Sequence, residues 1–128
     1  MGVLARPTKQ ISGLPLTYHL ANEKDWLAAS ASDVPYTGGT QDIRDGYVHL
    51  STRDQMEGSA ARHRAGEPGL LLLAVDEGEL GDALRWETSR GGALYPHCYG
   101  PIPLAAAVWT ALLPVASDNR HVFPDRLD

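Results

Sequence analysis

Only one cysteine, Cys98, occurs in 128 residues. No disulfide can close within the chain, and a structural zinc site built on several thiolates is excluded. A lone thiol fits a reducing compartment. Basic residues are in the minority: 11 Lys and Arg stand against 16 Asp and Glu, a formal net charge of −5. Proteins that track nucleic-acid backbones usually carry a basic stripe, so extended nucleic-acid binding is not expected. A nucleotide site needs only a few local cations or amides and stays open. Long hydrophobic runs are lacking as well. The longest, residues 69–75, is far too short to span a bilayer, so no membrane association is expected. Residues 1–15 hold no extended apolar stretch, which predicts no secretory signal and a cytoplasmic location. Walker, GxGxxG and GxSxG motifs, internal repeats and low-complexity tracts are all missing.

The remaining composition, 43% hydrophobic and 21% charged, is that of an ordinary globular protein. A chain of this length suits one domain and buries roughly two-thirds of its unfolded surface, enough to fold without metal or disulfide. The local signals predict a flexible arm over residues 1–15, one domain over 16–113 and a polar tail over 114–128. Residues 16–20 alternate and are rich in β-formers, which predicts a strand. Asn22 with Asp25 reads as a capping box opening a helix that ends near Asp33, before Pro35. Residues 35–46 are rich in turn formers and read as a loop, and residues 47–50 as a strand. Thr52 with Gln55 is a second capping box, followed by Met56, Ser59, Ala60 and His63 at helical spacing, with Gly66 as a C-terminal cap. Residues 70–75 are apolar on both faces and predict a central strand covered on both sides. Residues 84–87 read as a short strand, and 94–99 as an edge or turn because Pro96 lacks a donor. Residues 108–113 are the last expected strand. This order is α+β, with two helices in the N-terminal half packed on a mixed or antiparallel sheet.

Chemistry-bearing residues concentrate in a few segments. On a strand, Tyr47, His49 and Ser51 share one face and Val48 and Leu50 the other, which suits core on one side and a polar pocket on the other. A half-buried His49 bonded to a backbone carbonyl is an equal reading of the same pattern. His19 sits in a similar strand, sharing a face with Thr17. Glu87 ends a short strand; it could pair with Arg85 or Arg90, or place a negative charge against an oxocarbenium-like transition state. Residues 95–101 combine aromatics, proline, His97 and Cys98, as a rigid pocket wall or a structural corner. His19, His49, His97 and Cys98 lack any close paired metal-ligand spacing, so no metal is expected. Cys98 and His97 point to opposite faces of a strand and do not form a nucleophile–base pair.

Three segments together carry a family resemblance. They are Thr17-Tyr18-His19-Leu20 with Trp26; Asp45-Gly46-Tyr47-Val48-His49-Leu50-Ser51-Thr52 with Gln55; and Trp86-Glu87 with Tyr95-Pro96-His97-Cys98-Tyr99-Gly100-Pro101. They resemble the bacterial domain-of-unknown-function family 952, whose members are sometimes labelled glutathione S-transferase domain proteins; no motif here corresponds to that label. The resemblance implies an ADP-ribosyltransferase-like fold with a split sheet. Residues 48–76 are also similar to RNA 2′-phosphotransferases, which have a His-Leu-Ser strand, a helix and an apolar strand ending in Asp. By that likeness NAD is a possible co-substrate. His19 would hold its ribose; Tyr47, Ser51 and His97 would line the ligand site; Glu87 and His49 would be catalytic. Two departures stand out. Gly46 occupies the place of an expected arginine, and His19 is followed by Leu20 and not by the glycine that lets backbone approach nicotinamide.

Three functions are compatible with these features: ADP-ribosyl transfer from NAD to an unknown acceptor, non-catalytic binding of a nucleotide or ADP-ribose, and hydrolysis or isomerisation of another small molecule.

Overall fold

A computed structural model describes residues 15–89 and 91–125. The arm expected over residues 1–15 lies outside the described residues except for Pro15, as do Arg90 and the last three residues of the tail. Six strands and three helices follow one another: β1 (Leu16–Asn22), α1 (Glu23–Ser32), α2 (Thr40–Asp45), β2 (Val48–His49), α3 (Arg53–His63), β3 (Leu70–Asp76), β4 (Leu84–Thr88), β5 (Leu94–Cys98) and β6 (Ala107–Leu112). The strands form two three-stranded sheets, ordered β1-β3-β6 and β2-β5-β4, and every pairing is antiparallel.

Local chemistry accounts for most element ends. The Asn22 side chain accepts the Lys24 N–H at 3.0 Å, and the chain leaves α1 through Asp33 at φ 55°. Asp25 makes no reciprocal bond, so Asn22 caps alone. Thr52 and Gln55 do form a capping box at the start of α3, with bonds of 3.2 and 3.0 Å. Every residue of β3 is buried. Leu71, Leu73 and Val75 face one core cluster with Ala21, Tyr36, Leu50 and Ile102. Leu70, Leu72 and Ala74 face a second, with Tyr18, Met56 and Leu113. The tail joins the second cluster through Phe123, and His121 Nε2 bonds the Glu67 carbonyl at 2.8 Å.

Two sequence expectations are corrected. Residues 40–45 are helical and not loop, so the described residues hold three α-helices instead of two. Gly39, at the N-cap, offers no side chain; its N–H donates to the Asp42 carboxylate three residues on, at 2.7 Å. Of the mixed or antiparallel arrangement expected, the antiparallel alternative holds, divided between two sheets. Finally, β5 is central in its sheet despite Pro96. Leu50 N–H donates to the Pro96 carbonyl at 3.1 Å, so the nitrogen of Pro96 also points toward β2. There β2 has already ended, and the chain turns to β1, where Tyr18 and Ser51 exchange two backbone bonds of 2.8 Å. The missing donor falls where the neighbouring strand departs, and the ladder to β4 is intact. The same departure shortens the strand expected over residues 47–50 to Val48–His49.

No helix among the described residues is long and apolar enough to cross a membrane. Met56 is 0% exposed between α3 and β3. Met56→Ala is expected to cost about 2–5 kcal/mol, read as a lower urea midpoint at unchanged slope.

Candidate functional site

Asp42 is the hub from which the site is built. It is 7% exposed, yet both carboxylate oxygens are satisfied. One, Oδ1, accepts the His49 backbone N–H at 2.8 Å and the His49 Nδ1–H at 2.6 Å. The other, Oδ2, accepts the Gly39 N–H and lies 3.8 Å from His19 Nε2. Burial alone would raise its pKa. The His49 hydrogen bond, the nearby His19 and the two backbone donors outweigh it and hold the group at about 2. Asp42 therefore ties α2 to β2 and orients the His49 ring. The other nitrogen of His49, Nε2, is 3.0 Å from Asp45 Oδ2.

His19 lies behind this pair, 3% exposed. A carbonyl can only accept, so His19 Nδ1–H donates to the His49 carbonyl at 2.7 Å. Nε2 then accepts from the Tyr36 hydroxyl at 2.8 Å. Burial lowers the His19 pKa and raises that of Tyr36, which keeps the ring neutral and the phenol protonated, the states this chain of bonds requires.

A second carboxylate–imidazole pair stands across the rings. Glu87 Oε1 accepts the Tyr99 hydroxyl at 2.6 Å and the His97 Nδ1–H at 2.7 Å. These two bonds, Tyr99 first, lower the Glu87 pKa, so the carboxylate is ionised at neutral pH. Among the described residues His97 Nε2 has no hydrogen-bond partner. Between the two pairs lies Tyr47, stacked on His97 at 4.1 Å and 27°, with His49 at 4.6 Å and Tyr99 at 5.1 Å. The Arg85 guanidinium sits 4.6 Å above the Tyr99 ring. A cleft of about 210 Å³ opens beside Tyr47 and Tyr99, bounded by Asp42 and Ile43 of α2, by residues 46–48 and 98–101, and by Thr37.

Of the residues singled out in the sequence, Tyr47, His49, His97 and Glu87 thus form one continuous cluster. His19 joins it from inside through Asp42 and the His49 backbone. Ser51 is turned away toward α3, its hydroxyl 3.4 Å from Ser59. Asp42, Tyr36 and Tyr99 were not singled out as site residues. Asp42 and His49 are seven residues apart with a helix end between them, a spacing that matches no single periodicity. Among the described residues no group of three or more His, Cys, Asp or Glu is arranged to hold a metal ion.

Residues 20–110 match the family described as protein of unknown function (DUF952). The chain belongs to the DUF952 family. Its fold is similar to the crystal structure of protein CC0527 from Caulobacter crescentus, at 36% identity and TM-score 0.79 over 84% of this chain and 94% of that one. The solution NMR structure of CC0527 is similar too, at 37% identity and TM-score 0.72 over 82% and 90% of the two chains. No curated protein matches this DUF952 chain.

Because the Asp42 pKa is lowered from an ordinary 3.8 to about 2, its charge stabilises the fold fully above the unfolded value and ceases to do so as pH falls through the folded one. By that shift the contribution is about 2 kcal/mol. Asp42→Asn is expected to lower the urea midpoint at neutral pH, and the gap from wild type should close on acidification between about pH 4 and pH 2. A gap independent of pH would show that the charge of Asp42 is not what stabilises the fold.

Proposed function

We propose that the cleft of this DUF952 protein binds a nucleotide-class ligand on an ADP-ribosyltransferase-like fold, and that Glu87 serves ADP-ribosyl transfer from NAD. The observation carrying this reading is the ionised Glu87 carboxylate, oriented by His97 and Tyr99 at the edge of an aromatic wall. A planar base or nicotinamide ring stacks favourably on Tyr99 or Tyr47. As the N-glycosidic bond breaks, nicotinamide leaves with the bonding electron pair, and positive charge develops on the ribose. A fixed carboxylate stabilises that charge most where the ring wall excludes water. An acceptor nucleophile then attacks the same carbon and releases its proton to a base. His97 Nε2 is the unengaged nitrogen available for it. His49 and His19 act as positioning residues, since their ring nitrogens are engaged within the protein. Ser51, facing α3, serves the strand that carries His49.

The volume favours a second reading. Pockets for drug-sized ligands run to roughly 300–1,000 Å³, whereas this cleft holds about 210 Å³. It encloses one ring and its sugar, while the rest of a dinucleotide would lie along the surface. That suits a non-catalytic nucleotide or ADP-ribose module. The Glu87–His97 pair also resembles the base of a hydrolase or isomerase, in which a carboxylate orients an imidazole whose far nitrogen takes a proton.

Incubation with labelled NAD separates the readings. Transfer predicts nicotinamide release that Glu87→Gln reduces by roughly 100-fold or more, as loss of one transition-state contact does. ADP-ribose should still raise the melting temperature of that variant. A melting shift without nicotinamide release under any condition would establish the binding module and rule out transfer. No shift with NAD, ADP-ribose or nucleotides would eliminate both nucleotide readings.

A further inference from the structure

The strand that carries Glu87 lies at the edge of its sheet. In β4, Arg85 pairs with His97 and Glu87 with Tyr95. The flanking bonds, Tyr99 N–H to the Ala83 carbonyl and Ser89 N–H to the Ala93 carbonyl, share that register and show which residues bond inward. Arg85 and Glu87 therefore direct their backbone groups to β5, and Leu84, Trp86 and Thr88 direct theirs outward. Leu84 N–H is used within its own turn, donating to the Gly81 carbonyl. Among the described residues, nothing bonds the outward N–H and C=O of Trp86 and Thr88 or the outward C=O of Leu84. Exposed edges of this kind are normally blunted by proline, a bulge or an inward charge, because they pair with other chains. β4 carries neither proline nor a bulge, and its two charged side chains, Arg85 and Glu87, are of opposite sign and so complement a second copy. The face shared by Trp86, Thr88 and Leu94 adds two large exposed apolar side chains, Trp86 at 44% and Leu94 at 53%.

We infer that β4 pairs antiparallel with β4 of a second copy of this chain, about a two-fold axis at Trp86. Charge selects this register. Centred on Trp86, Arg85 stands opposite the partner's Glu87, and Glu87 opposite the partner's Arg85. Shifting the axis to Arg85 or to Glu87 sets like charges directly opposite, which destabilises a strand pair. The hydrogen-bond pattern agrees with the same choice. Trp86 N–H meets the partner's Trp86 carbonyl, and Thr88 N–H meets the partner's Leu84 carbonyl, each repeated by symmetry. Arg85 and the partner's Glu87 then fall in a non-hydrogen-bonded pair, where side chains approach most closely. Both lie on the face that carries His97 and Tyr95, so each copy sets a guanidinium beside the other's Glu87. The sheets merge in the order β2-β5-β4 followed by β4-β5-β2 of the second copy.

This association is independent of what the cleft binds, because it is measured without ligand. Sedimentation equilibrium of the full chain is expected to show a concentration-dependent monomer–dimer mixture. Arg85→Glu and Glu87→Arg, made singly, each replace two attractive cross-strand pairs by repulsive ones. Each should raise the dimer dissociation constant by roughly tenfold or more. The double variant R85E/E87R restores opposite charges across the axis and should return it toward the wild-type value. Thr88→Pro removes an outward donor and leaves the ladder to β5 untouched, so it should sediment as a folded monomer by circular dichroism. If Thr88→Pro fails to fold, the charge-reversal set decides alone. A wild-type monomer at all concentrations overturns the inference. So does a dimer indifferent to the single reversals, or a double variant no tighter than the singles.

Discussion

A single buried carboxylate sets the geometry on which the site depends. Asp42 is almost fully enclosed, and an ionised carboxylate there is tolerable only because hydrogen bonds meet both oxygens. Those bonds come from three donors on two residues. Gly39 starts α2, the His49 backbone begins the crossing segment, and the His49 ring belongs to the site. The approach is tight. A Cβ on Gly38, whose φ is +94°, would sit 2.6 Å from the Asp42 Cβ, so this turn requires glycine both for its backbone conformation and for space. Gly46, at φ 88°, then ends the helix and releases the chain toward β2. The Asp42 charge, the short helix and the orientation of His49 stand or fall together.

The second constraint is the crossing of residues 48–51 between the sheets. Val48 and His49 pair with β5, Leu50 donates to Pro96, and Ser51 pairs with Tyr18 of β1. One segment therefore touches both sheets and brings His49 within reach of His19 on one side and Tyr47 within reach of His97 on the other. Alternation along that segment explains the division of labour. Val48 and Leu50 enter the core shared by the sheets, while Tyr47 and His49 remain on the half-buried polar face.

Elements set by neighbours in sequence were legible without a structure. The Thr52–Gln55 box and the apolar run of β3 are local statements, and the fold agrees with both. Elements set by partners distant in sequence were not. The rule that proline avoids central strands concerns one N–H, and which side that N–H faces depends on where β2 ends, a tertiary fact. The helix at 40–45 was hidden because its cap comes from the side chain of Asp42 inside it and not from the glycine preceding it. The candidate site shows the same division. Tyr47, His49, Glu87 and His97 stood out by residue type and alternation. Asp42, which anchors His49, carries no distinguishing pattern in the chain itself, and the bond from Tyr99 to Glu87 joins residues twelve apart.

The placement of Glu87 carries a consequence for how the fold and its chemistry are coupled. The role proposed for Glu87 requires a carboxylate that is both fixed and reachable, and these demands oppose each other. An inner strand fixes a side chain but buries it, while a loop exposes it without fixing it. An edge strand satisfies both requirements. The inward ladder to β5 holds Glu87 beside His97 and Tyr99, and the side chain stays 39% exposed. The cost is an outward row of unpaired backbone groups, with Trp86 exposed beside them. Covering that row with another element of the same chain would also crowd Glu87. A symmetric copy covers it while setting a complementary charge opposite Glu87, so the edge that makes the carboxylate accessible is also the surface best suited to self-association.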